Sequence, residues 1–470
     1  MKLIPQLFLL CVLVITLEAC VGAGSAGIPD SGSRNISNTP RSAGNLLLLT
    51  DIHFNPYSEC ITGSNPCNSL QNLIENPIES WPEILNKESI NGFKEHTNNA
   101  FMTQGINNLV SIARQNNVNR IVLTGDLLRH GFVLSYKSWA PSKYNTQKDL
   151  TNFSYKTVTY MLWQLNNKLP NTKIYVALGN NDSDIENYRT PSADFLKQLA
   201  NYLSNFINGA DKKDFITSFS NGGYFSTNLS SGLTLIGLNT NVLSAIINNE
   251  TLANEQFIWL RGELFKAAQS GRKVILIQHI AYGIDLFKTS MSGNTISLLN
   301  LPLQTKYLQL QQKYSKNIAA IYAGHSHVDF LSLINSVTPL VGNIAFSSVY
   351  GNNPGFKIIN IGESGNLIDF TTYISDLSGG KIEWRPLYNF SGSYGNPADI
   401  VKILDQFPDS LTDPKVITYR KYFNGNNLQN PQPISVDNNW TKYYYCGIKN
   451  IQQDDYKSCI NRLINKKYPE

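Results

Sequence analysis

Short apolar, β-branched runs recur along the chain, and each stops at a polar cluster. Residues 46–50 stop at Asp51, 120–124 at Gly125-Asp126, and 173–178 at Gly179-Asn180. Residues 233–237 run into Leu238-Asn239-Thr240, 273–278 stop at His279, and 318–323 at Gly324-His325. Runs of this length, apolar without alternation, suit strands buried on both faces. Amphipathic stretches between them (100–115, 158–168, 192–206 and 254–269) predict helices. Alternating strands and helices predict an α/β sheet domain, in which ligands gather beyond the carboxyl ends of the strands. From about residue 340 the pattern changes. Residues 358–361, 367–373 and 381–387 predict a more antiparallel region, followed by a polar segment with helical pieces at 398–406, 411–424 and 458–466.

The N-terminus has its own pattern. Met1-Lys2 precedes an apolar run over residues 3–17, too short to cross a bilayer but of the length and charge of a secretory signal. It ends in Leu17-Glu18-Ala19-Cys20, which resembles a bacterial lipobox, with Cys20 as the lipidated residue. Cleavage after Ala19, or among residues 23–26, is the alternative without lipid. Residues 21–44, rich in Gly, Ser, Ala and Pro without a period, predict a flexible tether. The expected organisation is a signal at 1–20, a linker at 21–44, a catalytic domain at 45–391 and a C-terminal subdomain at 392–470.

Composition excludes several classes. Hydrophobic residues reach 42% and charged residues 16%, the reverse of a disordered chain. A net charge of +5 without a dense basic stripe gives no footprint for nucleic acid. The remaining cysteines fall in two close pairs, Cys60/Cys67 and Cys446/Cys459. In an exported, extracytoplasmic protein each pair reads as a short-loop disulfide; in a cytosolic one they would be free thiols. No protein partner can be inferred.

The chain has six histidines, and five of them lie at or just after the strand ends: His53, His130, His279, His325 and His327. His96 falls elsewhere, in a polar stretch read as helical. A purely structural histidine has no reason to prefer strand ends. Asp51-x-His53 puts a carboxylate and an imidazole on one side of an extended segment, and His325-x-His327 does the same for two imidazoles. Asp126 offers two oxygens that can bridge two cations, and Asn180 offers an amide carbonyl. This mixed nitrogen and oxygen set suits Zn, Mn or Fe rather than a structural cysteine site or a calcium site.

The ordered blocks Asp51-Ile-His53, Gly125-Asp126, Gly179-Asn180, His279 and Gly324-His325-Ser326-His327 resemble the calcineurin-like metallophosphoesterase superfamily. The resemblance implies a four-layer α/β/β/α sandwich, with the C-terminal, mostly helical subdomain pinned by its cysteine pair. It also implies two divalent metal ions, most simply zinc. Asp51, His53, Asp126 and His327 would hold the first ion, and Asp126, Asn180, His279 and His325 the second. Such a pair positions a phosphoryl group and activates a water for in-line attack. Residues 49–57 with Cys60, and residues 324–330, are similar to the acid sphingomyelinase-like phosphodiesterases. In that branch a histidine stands four residues after the bridging aspartate, here His130. Only about two dozen residues separate Cys20 from the first strand. The expectation is therefore a relative without a saposin domain, acting on phosphodiester or phosphoanhydride bonds of nucleotides or similar soluble substrates.

One position departs from the family pattern. The usual Gly-Asn-His becomes Gly179-Asn180-Asn181, followed by Asp182. Asn181 can orient a phosphate but cannot titrate, so the expectation is either that His130 takes the general-acid role or that the enzyme is slower and prefers good leaving groups such as the phosphate of an anhydride. The alternatives are a sphingomyelin phosphodiesterase and a catalytically weak surface binding protein, whose membrane contact would come through a lipid on Cys20.

Overall fold

The computed structural model describes residues 42–60, 66–86, 89–247, 249–408, 410, 412–423, 425–426 and 438–465. The predicted signal, Cys20 and nearly all of the predicted linker lie outside the described residues. Twelve strands form two six-stranded sheets. The first sheet contains β1 (Ser42–Leu49), β2 (Val118–Leu123) and β3 (Lys173–Val176). The second contains β4 (Phe225–Ser230), β5 (Leu233–Gly237), β6 (Lys273–Ile277), β7 (Ile318–Ala323), β8 (Leu331–Ile334) and β9 (Thr338–Gly342). The chain then returns to the first sheet with β10 (Gly355–Gly362), β11 (Leu367–Ile374) and β12 (Arg385–Asn389). The spatial orders are β12-β11-β10-β1-β2-β3 and β4-β5-β6-β7-β9-β8.

Both sheets are parallel at their centres. β1, β2 and β3 run parallel, as do β5, β6, β7 and β9. All four residues Leu46–Leu49 and every residue of β5 are buried, so each sheet is covered on both faces. Helix Asn99–Gln115 packs on β2 and helix Glu250–Gln269 on β6. The sheets meet through contacts such as the Arg120 guanidinium to the Leu229 carbonyl and the Asn343 amide to the Leu48 carbonyl (2.9 Å).

Several details differ from the sequence expectation. The first strand begins at Ser42, inside the predicted linker, because it pairs from that residue with Gly362 on β10. The helix expected at 158–168 starts at Gln147, capped by a reciprocal Thr146–Asp149 box; its first half is polar and hid its period. The late strands are antiparallel as expected, and β10 joins them to the first sheet by pairing with β1. Among the described residues of 392–465 lie the helices Ile400–Asp405, Pro414–Tyr422, Asn438–Cys446 and Gln453–Asn465. The last two are joined by the Cys446–Cys459 disulfide. This segment is bonded to the second sheet: Leu333 N donates to the Ile448 carbonyl and Asp329 N to the Phe423 carbonyl, each at 2.8 Å. The described residues all fall within one compact unit.

Candidate metal centre

The carboxyl ends of both sheets converge on one point. β1 delivers Asp51 and His53, β2 delivers Asp126, and β3 leads through Leu178 to Asn180. From the second sheet, β6 delivers His279, and β7 delivers His325 and His327. Backbone bonds fasten the loops together: Asp51 N donates to the Gly125 carbonyl and His53 N to the Asp126 carbonyl, both at 2.9 Å. Asp51, His53, Asp126, His325 and His327 all have positive φ, between 49° and 72°. Five non-glycine residues in this sparsely populated region at one site mark conformations imposed by the surrounding fold. Gly179 permits a close approach of the β2 and β3 loops. A methyl group there would overlap the Asp126 amide nitrogen and carboxylate.

Three overlapping groups of donors result, and within each the ligand atoms lie within 4.8 Å of one another: Asp51, His53 and His327; His53, Asp126 and His130; and Asp126, His279 and His325. Asn180 Oδ1 lies 2.9 Å from His279 Nε2 and joins the last. Asp126 Oδ2 links the groups, 3.7 Å from His53 Nε2 and 3.4 Å from His279 Nε2.

The donors fit cations. His53 Nδ1 and His279 Nδ1 donate to the carbonyls of Leu128 (3.2 Å) and Thr124 (2.7 Å), which leaves both Nε2 lone pairs facing inward. His53 Nε2 faces His327 Nε2 at 3.0 Å, and His279 Nε2 faces His325 Nδ1 at 3.2 Å. Asp51 Oδ2 accepts from the Thr50 hydroxyl (2.6 Å) and His325 N (3.0 Å), while its buried Oδ1 makes no well-aligned hydrogen bond and faces His327 Nε2 at 3.2 Å. Inward lone pairs and a carboxylate oxygen without a well-aligned donor in one buried volume are what a cation would satisfy. The oxygen and nitrogen set suits a dinuclear metal site.

The electrostatics agree. Burial opposes the Asp51 charge, but the facing His327 and His53 hold its pKa well below the usual carboxylate range. Asp126 is likewise lowered, against its burial, by His279. Burial would depress His279, yet Asp126 and Asp51 hold it up to about 9, so without a metal ion its proton supplies the positive charge that the two carboxylates attract. Burial next to His279 pushes His325 down to about 4.

The remaining predicted residues surround this centre. His130 stacks on His53, ring centroids 4.2 Å apart, and burial pushes its pKa down to about 3. Asn181 turns to the bridging carboxylate: its backbone N–H reaches Asp126 Oδ1 at 2.8 Å and its side-chain amide Oδ2 at 2.7 Å. Asp182 is fully buried. It accepts from the backbone amides of Leu127, Leu128 and Gly179, tying the two loops together, and burial beside Asp126 raises its pKa to about 6. Cys60 is bonded to Cys67.

The sequence pattern did not point to His96. It is not helical: helix Asn99–Gln115 begins after the N-cap Asn98, whose side chain accepts from Phe101 N, so His96 lies in the preceding loop. Its Nε2 is 3.0 Å from His130 Nδ1. Reading Asn98 as a cap would have moved His96 off the helix, though not into the site.

Fold and site together define a metal-dependent phosphoesterase. The calcineurin-like phosphoesterase family model matches residues 44–329, more than half of the chain, and the protein belongs to that family. Among curated proteins it resembles the acid sphingomyelinase-like branch. It is 28% identical over 318 residues to sphingomyelinase phosphodiesterase D of Dictyostelium discoideum, covering 63% of this chain and 66% of that protein. It is 23% identical to the human cyclic GMP-AMP phosphodiesterase SMPDL3A, covering 66% of this chain and 71% of that one. It is also 26% identical to bovine sphingomyelin phosphodiesterase, covering 75% of this chain and 55% of that one.

Proposed function

We propose that the protein hydrolyses phosphodiester or phosphoanhydride bonds of soluble substrates, nucleotides foremost. The observation that carries this reading is the pair of donor groups sharing Asp126 at the mouth of a partly aromatic cavity. That cavity, about 400 Å³, is lined by His325 and His327, by aromatic side chains such as Tyr188, Phe330, Tyr350 and Phe423, and by aliphatic ones such as Ile284, Leu286 and Leu298. Aromatic side chains beside the donor groups suit a planar substituent such as a nucleobase.

In this reading Asp51, His53, Asp126 and His327 hold one divalent ion, and Asp126, Asn180, His279 and His325 the other, zinc being the simplest choice. When bound, the ions supply Lewis-acid charge to the phosphoryl oxygens and acidify a water. The chain's own side chains do the rest. Asn181 orients the Asp126 carboxylate, and Asp182 keeps the β2 and β3 loops in register. His130 serves the leaving-group oxygen, the role that Asn181 cannot fill.

The relatives named sphingomyelin phosphodiesterases favour a second reading, cleavage of a lipid headgroup. A parallel assay of bis-p-nitrophenyl phosphate, ATP, ADP, AMP and sphingomyelin, with Zn or Mn and with chelator, decides between them. Metal-dependent turnover of the diester and anhydrides, well above AMP and sphingomyelin, is the expected result. Sphingomyelin as the best substrate would replace the first reading by the second, and no turnover by metal-loaded protein would leave a binding protein.

Two disulfides suit an oxidising compartment. Among the described residues no helix is long and apolar enough to cross a membrane. The companion proposal is export, with Cys20 carrying a lipid. A Cys20→Ser variant is expected to move from the membrane to the soluble fraction after cell fractionation; unchanged partitioning would exclude the anchor.

A further inference from the structure

We propose that His96 is a positioning residue that fixes the ring of His130 for the leaving group. This rests on the proposed role of His130. Three neighbouring extended segments bring the rings together: Phe54 forms isolated β-bridges to both Thr97 and Leu128, so His53, His96 and His130 arrive side by side. His96 lies edge-on to His130, centroids 5.2 Å apart, and 6.2 Å from His53. His130 is thereby held on three sides. His53 stacks on its face, His96 Nε2 meets its Nδ1 at 3.0 Å, and the Tyr350 hydroxyl lies 3.3 Å from its Nε2.

The loop carrying His96 is itself fastened. Asn91 Nδ2 donates to the His96 carbonyl at 2.8 Å, Asn98 N donates to Asn91 Oδ1 at 3.1 Å, and Asn55 N donates to the Thr97 carbonyl at 2.8 Å. The last bond ties this loop to the segment just after His53. Imidazole has one donor and one acceptor nitrogen when neutral, so the partner of one nitrogen selects the state of the other. The His96 Nε2 contact engages Nδ1 of His130 and so leaves Nε2 as the nitrogen available to a leaving oxygen. That nitrogen faces the exposed Tyr350 hydroxyl, where a substrate oxygen can replace it.

The test compares His96→Ala, His96→Gln and His130→Ala on an aryl diester, bis-p-nitrophenyl phosphate, and on a dinucleoside monophosphate, whose leaving alkoxide needs a proton. Loss of such an orienting partner costs about 10–100-fold. His96→Ala is expected to lose that much kcat on the dinucleoside, under about threefold on the aryl ester, with KM and metal content unchanged. His96→Gln, whose amide nitrogen reaches the place of Nε2, is expected to recover most of it. Equal losses on both substrates, or wild-type kcat in His96→Ala, would overturn the proposal. If His130→Ala shows no dependence on the leaving group, the role of His130 fails instead. Nitrogen-15 spectra of the His130 ring then decide the positioning: they shift in His96→Ala if the contact sets the tautomer, and unchanged spectra refute it.

Discussion

Replacing Asp126 with asparagine is expected to abolish turnover while leaving the fold intact. The carboxylate lies between the two groups of imidazoles, with Oδ2 within 3.7 Å of both His53 Nε2 and His279 Nε2. An amide removes the one negative charge that both cation positions would share. It also removes the counter-charge that holds His279 up to about 9, so that imidazole loses its anionic neighbour as well. Losing the Lewis-acid contribution costs several kcal/mol of barrier, and about 4 kcal/mol corresponds to a ~10³-fold fall in kcat. Elemental analysis after dialysis should find less than one metal per chain, against two in the parent. The amide can keep only one of the two hydrogen bonds from Asn181, but the loop is held by backbone bonds that the substitution leaves in place (Asp51 N to the Gly125 carbonyl and His53 N to the Asp126 carbonyl), so circular dichroism should be unchanged. Turnover within tenfold of the parent would refute the shared-ligand geometry.

The largest expected effect on stability lies behind the His327 loop. Lys357 on β10 is completely buried, and its ammonium donates to Asp329 Oδ2 at 2.5 Å and to the Thr372 hydroxyl at 2.7 Å. The same carboxylate oxygen accepts from Thr372 (2.9 Å) and Tyr388 (3.0 Å). Burial lowers the Lys357 pKa from its ordinary value, with Asp329 acting against that shift. Lys357→Met would strand a buried carboxylate, which costs about 3–5 kcal/mol. Urea unfolding should show that loss. The double variant Lys357→Met/Asp329→Leu should recover much of it, because replacing both members of a buried pair by apolar groups is often close to neutral. A single variant within 1 kcal/mol (about a fivefold change in the folding constant) would show that Thr372 and Tyr388 alone satisfy Asp329. Asp329 is two residues from His327, so the single variant should also weaken metal retention.

These two residues differ in how they could be read. Asp126 follows an apolar run and a glycine, and that local pattern alone places it at a strand end. Lys357 sits in a run that otherwise reads as an ordinary strand, and nothing nearby announces its partner 28 positions earlier. His96 is the same kind of case. Its loop has no periodic signal, and its relation to His130 exists only because Phe54 bridges two segments distant in sequence.

Local physics reaches as far as the elements and their ends. Apolar runs, caps and glycines act over a few residues, so the strands, the polar clusters after them and the choice of donor types were determined by the chain alone. The tertiary structure decided what depends on contacts between distant segments. It paired β10 with β1 and bonded Phe423 and Ile448 of the C-terminal segment to residues 329–333 at the second sheet. It also forced five donor residues into positive φ and added His96 to the group. Those outcomes come from burial and hydrogen bonding summed over the whole fold, which no short window of sequence contains.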